Sequence, residues 1–81
     1  MTPLYSKQAA KYLNGQNASS QQRIRQGIFK IPKGDIKPLQ GSPGDYRLRV
    51  GDWRIIFAYG DSNTVLIKKI SPRGQVYKGV R

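Results

Sequence analysis

Around Gly51-Asp52 the sequence alternates on both sides, and this stretch restricts the fold more tightly than any other. Before it, Tyr46, Leu48 and Val50 alternate with Arg47 and Arg49; after it, Trp53, Ile55, Phe57 and Tyr59 alternate with Arg54, Ile56 and Ala58. A period of two is that of a half-buried strand. A two-residue connection with glycine first is that of a type II′ hairpin. The turn fixes the pairing: Val50 lies opposite Trp53, Arg49 opposite Arg54, and Leu48 opposite Ile55. Tyr46, Leu48, Val50, Trp53, Ile55 and Phe57 then share a core face. Arg47, Arg49 and Arg54 share the other, with Ile56 and Ala58.

The rest of the chain is read outward from this hairpin. Tyr5, Ala9, Tyr12 and Leu13 recur at helical spacing until Asn14-Gly15. Ser19, with Gln22 three residues on, reads as the capping box of a second helix. Its apolar stripe is Ile24, Ile28 and Ile31, and Pro32 ends it. Residues 32–45 are rich in turn formers, with Ile36 and Leu39 as anchors to the core. After the turn Gly60-Asp61-Ser62-Asn63, residues Val65 to Ile70 form a third strand whose register stays ambiguous, since both faces contain apolar residues. Ser71-Pro72-Arg73-Gly74 break it, and Val76-Tyr77-Lys78 resume briefly. Met1 to Leu4 are loose or form a very short strand. The expectation is a single α+β domain over residues 1–81. A two-helix hairpin packs on one face of a three- to four-stranded antiparallel sheet.

Composition narrows the function. The 81 residues include 15 Lys and Arg against four Asp, with no Glu, for a net charge of +11. Residues 1–40 carry seven basic side chains and one acidic, residues 41–81 eight and three, so the charge belongs to the whole domain. Such a field favours a polyanion: nucleic acid, an acidic protein or an anionic membrane surface. The absence of cysteine rules out disulfides and thiolate metal sites, and the absence of histidine removes the commonest general base. No apolar run approaches a membrane span and no signal-peptide pattern opens the chain, so a soluble cytoplasmic protein without a cofactor or membrane partner is expected. A domain this small is marginally stable, which makes a partner that covers apolar surface plausible.

Three guanidiniums on one sheet face are either a site for an anion or an ordinary solvated face. Like charges placed opposite each other destabilise a sheet, and the guanidinium fork matches phosphate oxygens. Arg73 and Tyr77 follow the third strand and could reach the same face. There positive charge would lower the tyrosine pKa and the ring would offer a stacking surface for a base. The alternatives are a satellite core position for Tyr77 and a turn-fixing role for Arg73. A ribonuclease built this way needs a base for the 2′-hydroxyl, stabilisation of the phosphorane and an acid for the leaving 5′-oxygen. Those tasks fall to Arg, Lys, Tyr or groups lent by another molecule, because Asp35, Asp45, Asp52 and Asp61 read as turn formers.

The segment from Leu39 to Tyr59, with its run Tyr46-Arg47-Leu48-Arg49-Val50-Gly51-Asp52-Trp53-Arg54-Ile55-Ile56-Phe57, resembles the RelE/ParE toxin superfamily. So do Ser6 to Leu13 and the ending Ile70-Ser71-Pro72-Arg73-Gly74-Gln75-Val76-Tyr77-Lys78. The resemblance implies a two-helix hairpin on a twisted antiparallel sheet and an antitoxin, acidic in its binding segment, that wraps the toxin. It implies endoribonuclease action on messenger RNA at the ribosome, blocking translation, with operator DNA reached only through the antitoxin complex. Arg54 and Arg73 would stabilise the phosphorane, Tyr77 would stack on a base or take part in proton transfer, and Arg47 and Arg49 would bind phosphate and assist proton transfer. Two features depart from the family. Only Pro3-Leu4-Tyr5 can supply its opening strand, and arginines, poor proton donors and acceptors, stand at positions 47 and 49 where some members have lysines. Two other readings stay open: a ParE-like inhibitor of DNA gyrase without nuclease activity, and a non-catalytic nucleic-acid-binding module.

Overall fold

A computed structural model describes residues 1–72. In chain order the elements are β1 (Thr2–Tyr5), α1 (Lys7–Asn14), α2 (Ala18–Phe29), β2 (Asp35–Pro38), β3 (Asp45–Val50), β4 (Trp53–Tyr59) and β5 (Thr64–Pro72). The hairpin takes the expected register, with Val50 opposite Trp53, Arg49 opposite Arg54 and Leu48 opposite Ile55. Gly51 has φ 56°, and among the described residues no non-glycine residue has positive φ. Positive φ at the first turn position alone fits a type II′ connection.

The sheet has five strands in the order β1-β5-β4-β3-β2, and it is mixed. This corrects the expected three- to four-stranded antiparallel sheet at both edges. Thr2 to Tyr5 form a full strand, parallel to β5, so Tyr5 ends a strand and does not begin a helix. Asp35 to Pro38, expected within a turn-rich connection, pair antiparallel with β3. Ile36 packs against the core as anticipated, while Leu39 stays half-buried outside it. Proline and charged residues suit an edge strand, where one backbone side faces water.

Both helices start with a side-chain cap. Ser6 Oγ accepts from the Ala9 N–H at 3.1 Å, and Asn17 Oδ1 accepts from the Ser20 N–H at 2.8 Å. The cap of the second helix therefore lies two residues before the expected cap at Ser19. Asparagine caps as well as serine, and Asn17 is already in extended backbone. Ala9 and Leu13 from α1 and Ile24 and Ile28 from α2 meet Leu48, Ile55, Phe57, Val65, Ile67 and Ile70 from the sheet in one core. α2 lies close on the sheet at Gly27, where a Cβ would overlap Val50 Cγ2. Gly27→Ala is expected to destabilise the fold by about 1–3 kcal/mol despite alanine's better helix propensity. Urea unfolding checks this, and adding Val50→Ala should return part of the loss.

A bulge in β5 resolves the ambiguous third strand. Ile56 faces Lys69 but Phe57 faces Ile67, so Lys68 is an extra residue. Val65 and Ile67 on one side of it and Ile70 on the other then all reach the core. The irregular backbone is tied down from the helix side. Ser6 Oγ donates to the Lys68 carbonyl at 2.7 Å. The Gln8 amide both donates to the Ile70 carbonyl and accepts from the Ile70 N–H, each at 3.2 Å, occupying the place β1 has vacated.

Lys68 also reaches across the sheet to Asp45, Nζ to Oδ1 at 2.7 Å, and Ser42 Oγ donates to the other carboxylate oxygen. The Lys68 and Ser42 hydrogen bonds hold the Asp45 carboxyl below its ordinary value of 3.8. A carboxylate depressed in the folded state stabilises above its unfolded pKa and loses that contribution as pH falls through the folded value. Asp45→Asn should therefore unfold at lower urea than the native chain at pH 7, and the gap should close once both are measured well below pH 3.8.

Candidate functional site

The sheet face opposite the helices carries two cross-strand rows. Lys37, Arg47, Ile56 and Lys69 form one, and Asp35, Arg49, Arg54 and Ser71 the other. Their side chains share this face because Leu48, Ile55 and Ile70, their neighbours along each strand, enter the core. The type II′ turn sets Arg49 directly against Arg54. From the core side, Arg23 of α2 lies 5.3 Å over the Trp53 ring, next to Gly51, and props the turn.

The three arginines differ in their surroundings. Arg47 is only 11% exposed, and its Nη1 lies 3.4 Å from both the carboxylate and the main-chain oxygen of Asp35. Asp35 is half exposed, so this pair is weak and readily exchanged. Arg49 and Arg54 are half-buried, with both Nε atoms out of water. Arg49 Nε makes no hydrogen bond among the described residues. Buried Nε atoms do not fit side chains splayed into solvent. Guanidiniums held together against their repulsion can take acceptor atoms from an incoming anion.

Arg47, Arg49 and Arg54 are thus brought together as expected. Arg73 and Tyr77 lie outside the described residues. Tyr5, Tyr12 and Tyr46 pack on the core side, and Tyr59 joins Tyr46 and Phe57 in an aromatic cluster. Burial raises the Tyr5 pKa against the opposing pull of Arg25. Among the described residues no group of three or more metal-ligating side chains gathers, and no helix is long and apolar enough to cross a membrane. Sequence reading missed two members of the arginine row. Asp35 reads as a turn former until β2 is placed, and Ser71 reads as a strand breaker beside Pro72.

A two-helix layer on a five-stranded mixed sheet, with Arg47, Arg49 and Arg54 gathered on the face away from the helices, defines an α+β class. No protein-family model and no curated protein matches the sequence. Solved structures do. A chain of the RelB–RelE antitoxin–toxin complex from Methanococcus jannaschii is similar at 25% identity and a TM-score of 0.75, over 96% of this chain and 99% of that one. A chain of the toxin–antitoxin complex RelBE2 from Mycobacterium tuberculosis is similar at 22% identity and a TM-score of 0.73, over 89% of this chain and 96% of that one. The chain shares the fold of these toxin–antitoxin chains over nearly its whole length.

Proposed function

We propose that this chain is the toxin of a toxin–antitoxin pair, an endoribonuclease that cuts messenger RNA on the ribosome and needs no metal. The observation that carries the reading is the Arg49–Arg54 pair, two arginines set opposite each other on the sheet face away from the helices, with both Nε atoms out of water. In the reaction the 2′-hydroxyl attacks the adjacent phosphorus and the 5′-oxygen leaves. Arg54, with Arg73, stabilises the charge that grows on the phosphorane oxygens. Arg49 binds the phosphate, and Arg47 joins it by exchanging the Asp35 carboxylate for the backbone of the RNA. An arginine cannot give up its proton, so Tyr77 or a group from the ribosome moves the protons.

An acidic antitoxin suits the distribution of charge. The first acidic residue is Asp35, so the helix layer presents the exposed Lys7, Lys11, Arg25 and Lys30 with no carboxylate among them. The two similar structures are complexes of toxin with antitoxin, which supports the same kind of partner here. Primer extension on messages in a translating extract tests the activity, with Tyr77→Phe as the comparison. Discrete cuts from the native chain that fade in the variant support the reading. Intact message with accumulating gyrase–DNA breaks would replace it with gyrase inhibition, and intact message with stalled translation with ribosome binding alone.

A further inference from the structure

We propose that Ser71 is a phosphate ligand of this site, closing with Arg49 a slot for one RNA phosphate over Arg54. The inference rests on the reading of the arginine face as an RNA site and adds a residue to it. Ser71 is 6% exposed, and its Oγ is out of water with no hydrogen-bond partner among the described residues. It sits directly across β4–β5 from Arg54, whose other cross-strand neighbour is Arg49. Arg49 Nε is orphaned in the same way. A buried donor left unpaired is destabilising, and here two such donors flank one arginine on a single row.

The chemistry of the missing partner follows. A guanidinium Nε–H can only donate, and a hydroxyl between cations is used best as a donor. The group that satisfies both must offer several acceptor oxygens, and the surrounding guanidiniums require it to be an anion. One phosphate meets both conditions. Ser6, on the helix side, shows what a structural serine does in this fold: its hydroxyl caps Ala9 N–H and donates to the Lys68 carbonyl. Ser71 does neither. Pro72, next in sequence, biases Ser71 toward the extended backbone it has in β5.

The test measures binding and folding together. A labelled single-stranded RNA 12-mer carrying 2′-O-methyl groups, which cannot be cleaved, is titrated at several salt concentrations against native protein, Ser71→Ala, Ser71→Thr and Arg49→Ala. Ser71→Ala should bind roughly tenfold more weakly while its urea midpoint stays or rises, because an unpaired hydroxyl has been removed. Ser71→Thr, which keeps the hydroxyl, should bind as the native chain does. Arg49→Ala should weaken binding and lower the salt slope by about one. Native affinity in Ser71→Ala beside a weakened Arg49→Ala would overturn the proposal and leave the RNA site standing. A fall in midpoint that accompanies weaker binding in Ser71→Ala would overturn it too, by making the hydroxyl structural. Native affinity in Arg49→Ala as well would remove the RNA site and this ligand with it.

Discussion

Arg54→Ala is expected to slow message cleavage by about 10²–10³-fold, the usual cost of removing one group aimed at a developing oxyanion. Arg54 occupies the centre of its row, with Arg49 on one side and Ser71 on the other, so a phosphate held there lies within reach of its fork. Arg54→Lys keeps the charge but not the two-point geometry and should recover only part of the rate. Single-turnover cleavage in a translating extract gives the rate, and thermal unfolding of the same samples gives the control. Lost cleavage with an unmoved midpoint assigns Arg54 to the chemistry. A midpoint that falls with the rate assigns it to the fold and removes the central member of the proposed site.

Phe57→Ala should be the most damaging single change to the fold. Phe57 is fully buried, its ring 5.7 Å from Tyr46 and 5.5 Å from Tyr59. Truncating such a side chain costs about 3–5 kcal/mol. A domain of this length holds only about 4–12 kcal/mol in total, from roughly 0.05–0.15 kcal/mol per residue. Much or all of the stability would go, and urea denaturation followed by Trp53 fluorescence would show an early or absent transition. Tyr59→Ala is the comparison: Tyr59 is 38% exposed at the rim of the cluster, and its loss should cost about 0.5–1.5 kcal/mol. Equal losses at the two positions would mean that the cluster, and not burial, carries the energy.

What could be read from the sequence followed how locally each feature is determined. Gly51-Asp52 fixes a turn type, the turn fixes a register, and the register puts Arg49 opposite Arg54. Every link lies within 15 residues and depends on no distant partner. The edge strands are different. Thr2 to Tyr5 are too few to show a period, and their strand exists only because β5, some 60 residues away, offers a parallel edge. Pro38 and the charges of β2 argue locally for a loop, and pairing with β3 overrides them. The site divides along the same line. Arg47, Arg49 and Arg54 stand out because they alternate within a hairpin. Asp35 and Ser71 enter it only through long-range pairing, and the capture of Arg47 by Asp35 has no local sign at all.

The extra residue in β5 has a consequence for how this strand can change over generations. With Lys68 removed, Ile67 and Lys69 would become neighbours, and Phe57 and Ile56 could still face them in ordinary succession. Val65, Ile67 and Ile70 would keep to one face, Lys69 and Ser71 to the other. The loss of that one codon would leave the parity of the strand intact, whereas in a regular strand a one-residue deletion inverts every residue downstream. What would vanish is the carbonyl that Ser6 holds and the cation that Asp45 holds. At this one position a change of length acts on the fastening of the first helix and spares the layout of the arginine face.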